Sequence, residues 1–458
     1  MLWLAVLVVL GLIAFCTLVL GVKPKQFPPG PTWLPVVGCF SQFSRLYSRL
    51  GYYHLVWDEL YRIYGPLVGL KLGRDRLVIV SGLHAIKHVS SRADCEGRPD
   101  GFFYRMRSFE QRLGVVFTDG QIWQEQRRFS SRHLRSLGLA PGVIDHIISQ
   151  EVEDLIVTMR RSCENSSQGS EMDLHSLCNV SVLNALWAVV AGQRFELTDS
   201  RLLAIFKLQH DSFRQLDMSG GIINQMPFIR FVAPERSGYN TLIQTVNANY
   251  DFLRETLIEH QKTIIFGKPQ LQLMTLCFDL FMAGSETTNV TLGFLLLLML
   301  HYPEVQTRVQ DELDHVVGTH RLPLLSDRPN LPYVEAVIME TLRFINPAPV
   351  ADTILLMSIW SVHMDREHWG DPEIFRPERF LDATGQNLIK YECFIPFGIG
   401  KRRCLGEALA KNNLFLFFAA LLQNFKFLTT PGEEPPTLIP FDGVTLSPQP
   451  FKGIVQPR

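Results

Sequence analysis

The sequence predicts a mainly α protein with a small β region, preceded by an N-terminal transmembrane helix. Three observations predict it. Leu2 to Val22 is almost entirely Leu, Val, Ala, Ile and Phe without charge, a run of roughly 20 residues, which is what a helix needs to cross hydrocarbon. Helical periodicity dominates the rest, as in Ile144 to Arg160 and Tyr302 to Val317, while strand-like pieces such as Leu77 to Val80 are short. The third is Leu271 to Leu300, apolar nearly all round, which means a second span or a helix through a large core. Asp279, Ser285 and Glu286 at its centre would be costly in lipid, so a core helix is expected.

In chain order, residues 1–22 are the expected anchor. Lys23 and Lys25 follow it, with no charge before, which places that flank in the cytoplasm. A cleaved signal peptide fits less well: the run is long, it lacks a basic start, and no A-x-A-like site precedes Lys23. Residues 23–34 contain Phe27-Pro28-Pro29-Gly30-Pro31, where successive prolines forbid helix and give a stiff hinge. Residues 35–458 form one large domain.

With 458 residues, 47% of them hydrophobic, the chain can bury a large core without staples. Its eight cysteines (16, 39, 95, 163, 178, 277, 393 and 404) lack CxxC pairs or dense spacing, which fits a reducing compartment. A net charge of −1 gives no basic excess for nucleic acid. With the body in the cytoplasm, the sequons at Asn165, Asn179 and Asn289 are expected to stay unmodified.

The chemistry gathers around Phe397-Gly398-Ile399-Gly400-Lys401-Arg402-Arg403-Cys404-Leu405-Gly406, followed by helix-like Glu407 to Ala410. Glycines let the backbone approach a flat ligand, and the helix N-terminus is expected to lower the thiol pKa. One Cys without paired Cys or His cannot form a structural zinc site, but one thiolate suffices as the axial ligand of haem iron.

This segment resembles the haem-binding loop of the cytochrome P-450 superfamily at Phe397, Gly400, Arg402, Cys404 and Gly406. A chance match somewhere in such a chain has a probability on the order of 10⁻⁴. Glu340-Thr341-Leu342-Arg343 and Pro377-Glu378-Arg379-Phe380 resemble the family's Glu-x-x-Arg helix and Pro-Glu-Arg-Phe loop, and Ala283-Gly284-Ser285-Glu286-Thr287-Thr288 its oxygen-binding groove. Trp123-x-x-x-Arg127 resembles its C helix. The wording is most similar to the microsomal animal type, the broad group of drug- and steroid-oxidising and insect enzymes.

The resemblance implies the cytochrome P-450 fold, a helical haem-thiolate domain over 35–458. It implies haem b (iron protoporphyrin IX) with Cys404 on the iron. Trp123, Arg127 and Arg402 would reach the propionates, with Phe397, Gly400 and Gly406 shaping the loop. Glu286 and Thr287 would relay protons, Gly284 permitting a local opening of the helix; the plain alternative is a Thr that bonds back to its own helix. Glu340, Arg343 and Arg379 would brace the fold. The pocket roof would be Phe102 to Phe117, with Phe103, Phe109, Phe278, Ala283, Val350 and Leu446, all of which could equally be core.

No Gly-rich dinucleotide fingerprint occurs, so electrons from NADPH would come through a separate flavoprotein reductase, with cytochrome b5 as an optional second donor. Its docking patch would draw on Arg128, Arg132, Arg135, Lys401 and Arg403. The expected reaction is insertion of one atom of O₂ into an apolar small molecule (steroid, terpenoid, fatty acid or xenobiotic) at the endoplasmic reticulum membrane. Two alternatives stay open: a reductase-independent peroxide isomerase or dehydratase, and a haem-binding membrane protein without turnover.

The second follows from two short places. Thr263 to Leu271 passes almost directly into the core helix, and the family's Gly-Tyr-x-Ile-Pro-Lys hairpin is absent between Asp352 and Ser358. Ala351 to Trp360 is therefore expected as one strand-like piece with an unpaired edge, and Ile345 to Ser361 offers no basic propionate contact. Flanking motifs are intact, which fits removal of whole segments.

Overall fold

A computed structural model describes residues 3, 11, 23–35, 37–73, 75–137, 142–164, 169–215, 223–224, 226–260, 268–348, 350–351 and 355–458. The expected anchor, apart from residues 3 and 11, the short connection at 261–267 and the Asn165 sequon lie outside the described residues.

Helices α1 (Phe40–Leu50) and α2 (Tyr53–Tyr64) lead into strands β1 (Leu67–Leu72) and β2 (Asp75–Ser81). Gly51 ends α1 in the left-handed region, at φ 79°, where its N–H donates to Tyr47 O. Then come α3 (Leu83–Ser91), α4 (Phe102–Met106), α5 (Gly120–Leu137), α6 (Val143–Cys163), β3 (Ser170–Asp173), α7 (Asn179–Ala191), α8 (Ser200–Gln215), α9 (Ile229–Val232) and α10 (Tyr239–His260). The long α11 (Lys268–His301) is followed by α12 (Pro303–Val316) and α13 (Pro332–Phe344), both opened by a proline where no N–H is needed. The chain closes with β4 (Val350–Ala351), β5 (Leu355–Ser358), α14 (Trp360–His363), α15 (Arg366–Trp369), α16 (Glu407–Asn424), β6 (Phe425–Leu428) and β7 (Lys452–Pro457).

The expected core helix is α11. Over its apolar stretch 83% of the residues are buried inside the protein, which a span facing lipid would not be. It packs against α7, α10, α13 and α16. Its C-terminal half, Leu292–Leu300, joins Phe415, Phe417 and Phe418 of α16 in the main core. Its N-terminal half joins an aromatic cluster that includes Phe103, Tyr104, Trp187, Tyr250, Phe278 and Phe281. At Gly284 a Cβ would stand 2.7 Å from Leu186 Cδ2, so this glycine lets α7 approach. The helix runs unbroken from Lys268 to His301, without the local opening expected of Gly284.

One sheet has the order β1-β2-β5-β4 and the other β3-β7-β6. The single piece expected over Ala351 to Trp360 is not found. Val350 pairs with Ser358 and Ala351 with Met357, antiparallel, while Val78 to Ser81 pair in parallel with Leu355 to Ser358. β5 therefore has neighbours on both sides, and the unpaired edge expected from the missing hairpin does not arise there. Trp360 already belongs to α14.

Candidate active site

The Cys404 loop is a chain of tight turns between Phe394 and α16. Gly398 and Gly400 have φ of 70° and 72°, where side chains are strained, and a Cβ on Gly400 would come within 2.5 Å of Ser90 O. The Cys404 N–H donates to Phe397 O (2.9 Å), the Arg403 N–H to Gly400 O (3.2 Å) and the Ala410 N–H to Gly406 O (2.8 Å). Phe397 lies against Lys411, whose Nζ is 5.4 Å from the ring centroid. A Cβ on Gly406 would meet nothing within 4 Å.

Cys404 is accessible although protein surrounds its sulfur. The expected lowering of its pKa is not what the geometry gives. Burial pushes the thiol up; the Gly406 N–H and the cations of Arg127 and Arg403 pull it down, and Glu407 pushes it further up. Burial by the surrounding protein wins because the helix N-terminus offers only partial charge.

Trp123, Arg127 and Arg402 are brought together beside this loop. Trp123 is buried, with Arg402 Cζ 3.8 Å and Arg127 Cζ 5.7 Å from its ring centroid. Arg127 Nη2 donates to Arg403 O (2.7 Å), and Arg402 donates to Glu96 O (2.6 Å) and Thr118 O (3.0 Å).

Sequence reasoning missed two further arginines. Arg98 Nε donates to Val116 O (3.1 Å) and its backbone N–H to Asp119 Oδ2 (2.8 Å), the atom that also accepts from Arg112 Nη2 at 2.8 Å. Burial and the nearby Arg98 cation both push the Arg127 pKa down. The cysteine of the loop drew attention, whereas Arg98 is marked in sequence only by Gly97-Arg98-Pro99.

These residues fit haem on three counts. Guanidinium groups crowd one region, which calls for an anionic ligand such as a propionate. The sulfur is sheltered yet reachable. On α11, Leu280, Ala283 and Thr287 recur on one helix face and stay accessible while Phe281, Ser285 and Thr288 are buried. Accessible surface in the middle of a buried helix means that it borders interior space.

Thr287 Oγ1 donates to Ala283 O (2.8 Å), the bond back to its own helix that was the plain alternative for this residue. Glu286 turns toward α8, where His210 Nδ1 and Arg214 Nη2 lie 3.4 and 3.5 Å from its Oε1. Of the expected pocket residues, Phe278 is core, stacked on Tyr250 at 5.1 Å, and Leu446 is buried too. Phe103 is buried as well, whereas Phe102, Phe109 and Phe117 are half-buried. The loop is pinned to α11 by Asp279, which accepts from Arg107 Nη2 (2.6 Å), Val115 N (2.7 Å) and Val116 N (3.0 Å).

Glu340, Arg343 and Arg379 meet as expected. Glu340 accepts from Arg343 Nε (2.7 Å) and Nη2 (2.8 Å), from Arg379 Nε (3.0 Å) and from the Arg376 N–H (3.0 Å). Arg343 further donates to His363 O (2.8 Å) and Pro372 O (2.9 Å).

The sequence profile of the Cytochrome P450 family matches residues 28–455. The chain belongs to the cytochrome P450 family. It is a P450 monooxygenase, and the family implies a haem cofactor. The chain is 38% identical to "Farnesoate epoxidase" of Bombyx mori, covering 94% of each protein. It is 34% identical to "Probable cytochrome P450 303a1" of Drosophila melanogaster (95% of this chain, 97% of the relative) and 33% identical to "Cytochrome P450 2J5" of Mus musculus (95% and 92%). The alignment with the Bombyx protein spans 470 positions, more than the 458 residues of this P450, so that relative carries segments this chain lacks.

Proposed function

We propose that this P450 inserts one atom of O₂ into an apolar small molecule and reduces the other to water, with electrons from NADPH delivered by a separate flavoprotein reductase. The observation that carries the reading is the Cys404 loop: a sheltered, reachable sulfur beside a crowd of guanidinium groups. Haem b, when bound, supplies the activation of O₂. Cys404 would be its thiolate ligand. Arg98, Arg127 and Arg402, with the Trp123 indole, would hold the propionates, and Arg98 would supply the basic contact that Ile345 to Ser361 lacks. Gly400 lets the loop pass close to Ser90, and Phe397 and Gly406 would shape the loop beside the haem. Glu286 and Thr287 would move protons toward the oxygen-binding space, with the Thr287 hydroxyl fixed on Ala283 O and its lone pairs available to accept.

The reductase would dock on α5. Arg128, Arg132 and Arg135 share one helix face and line a shallow groove of ≈ 480 Å³ with Ser131. Among the described residues no ion pair engages these three, whereas Lys401 pairs with Glu96 and Arg403 with Glu407, so the last two contribute less to the patch than their charge implies. Residues 1–22 would anchor the chain in the endoplasmic reticulum membrane with residues 35–458 in the cytoplasm. Among apolar substrates, terpenoid acids and their esters come first, by the name of the Bombyx relative. A haem protein without turnover is the second reading, favoured by the segments this chain lacks.

The test reconstitutes the full chain with haem, a microsomal NADPH-dependent flavoprotein reductase and a terpenoid acid panel under ¹⁸O₂. One labelled oxygen per product, with reductase-dependent NADPH consumption, is expected. Haem binding without NADPH-dependent O₂ uptake would favour the second reading, and turnover of a peroxide without reductase would favour the isomerase.

A further inference from the structure

We propose that His210 is the residue through which protons reach Glu286, with Arg214 as the fixed counter-charge beside the same carboxylate oxygen. The inference rests on the reading of Glu286 as a proton carrier. It starts from the burial of that acid: Glu286 is only 9% accessible and faces α8. A carboxylate that hands on protons must be refilled, and an imidazole and a guanidinium stand near its Oε1, which has no hydrogen-bond partner of its own among the described residues. His210 Nδ1 is at 3.4 Å and Arg214 Nη2 at 3.5 Å. They are four residues apart on α8 and so project from one face.

Their chemistry divides the work. A guanidinium does not release a proton in the working range, whereas imidazole gains and loses one there. Arg214 is also immobile, since it donates to Thr445 O (2.5 Å), Thr445 Oγ1 (2.7 Å) and Phe441 O (3.2 Å) of the C-terminal segment, where the Asp442 carboxylate acts on it too. His210 is 21% accessible, more than twice Glu286, and so has the better access to water.

Among the described residues His175, from the segment before α7, also lies against His210. Its ring stands edge-on at 5.5 Å, with Nε2 3.4 Å from Ser447 Oγ. Burial holds the His175 pKa below its ordinary value, with His210 and Arg214 pressing the same way and the Asp173 and Glu286 carboxylates opposing them. The step is a transfer of one proton: the Nδ1–H bond of His210 breaks and an O–H bond forms at Glu286 Oε1. Imidazolium and carboxylate become imidazole and carboxylic acid, and the imidazole takes its next proton from water. The 3.4 Å separation closes by a small ring movement or through one bridging water.

The test uses the full haem-loaded chain in two arms. In the first, histidine rings carry ¹³C and are observed by NMR. Glu286→Gln replaces the carboxylate 3.4 Å from His210 Nδ1 and is expected to shift the His210 ring resonances; unmoved resonances overturn the contact. In the second, product formed per NADPH is followed from pH 6 to 9 with a reductase present. His210→Asn keeps a donor toward Glu286 but cannot titrate. It is expected to lower the yield at least threefold, with peroxide making up the difference, and to flatten the pH profile. Unchanged yield and profile in His210→Asn while Glu286→Gln uncouples would overturn this proposal alone. Unchanged coupling in Glu286→Gln would overturn the proton-carrier reading beneath it.

Discussion

Two arginine clusters in this fold differ in balance. Around Glu340 each guanidinium nitrogen of Arg343 and Arg379 donates to an oxygen that the fold itself supplies, and Arg343 and Glu340 are fully buried. Around Trp123 the cations of Arg98, Arg112, Arg127 and Arg402 outnumber the acids gathered there among the described residues, and Arg98 pushes the Arg127 pKa down. A closed cluster is finished when the chain folds. A crowded one leaves room for an anionic ligand, and under the proposed function that difference sets bracing residues apart from ligand-holding ones.

The comparison can be broken first at the closed cluster. Arg343→Ala leaves the buried Glu340 carboxylate with fewer donors, a change costing about 3–5 kcal/mol against a net stability of roughly 5–15 kcal/mol. The haem-free chain should lose its cooperative melt or fall steeply in melting temperature. A haem-free melt within a few degrees of the parent would show that the cluster does not brace the fold.

At the crowded cluster the expectation reverses. Arg127→Gln removes one charge-assisted donor to the ligand, worth about 1.5–3 kcal/mol, so haem affinity should fall about tenfold or more. The haem-free melt should move far less than in Arg343→Ala, because relief from Arg98 offsets the lost bond to Arg403 O. Haem transfer to apomyoglobin measures the first and calorimetry the second; equal losses in both would erase the distinction.

A smaller effect is pH dependence at the closed side. The wholly buried His363 imidazole accepts the Ile395 N–H (3.1 Å), and burial, aided by Arg343, holds its pKa near 3. Its folded pKa lies below the unfolded value of about 6.5, so its stabilising share is complete above pH 6.5 and is lost as pH falls toward 3. Each such group sets a slope of at most about 1.4 kcal/mol per pH unit. His54, buried and also near 3, acts in the same window. Urea unfolding of His363→Gln from pH 7 to 5 should show a flatter decline than the parent; an identical slope would place the acid sensitivity elsewhere.

What the sequence made legible follows from locality. The Cys404 loop, the Glu340–Arg343 pair and the long core helix are contiguous, so apolar patterning placed the helix and the resemblance to the family's motifs placed the other two. Arg98 and the His210–Glu286 contact join residues far apart in the chain, and composition carries no mark of such meetings. The thiol pKa was expected to fall because the helix N-terminus is visible in sequence and the burial opposing it is not. The sequence offers no turn signal over Ala351 to Trp360, so the antiparallel pairing of β4 with β5 is not legible in it. Gly284 was read as a helix opening, and its neighbour Leu186 gives it a packing role instead.

The central claim is that Cys404, alone among the eight cysteines, is the haem ligand. Cys393, the nearest in sequence, is buried where Cys404 is accessible, and it lacks a glycine-rich loop. The most direct measurement is the reduced carbon monoxide difference spectrum of the full chain beside Cys404→Ala. The account predicts the red-shifted band of a thiolate-ligated haem in the parent and its loss in the variant. The same red-shifted band in Cys404→Ala would contradict it.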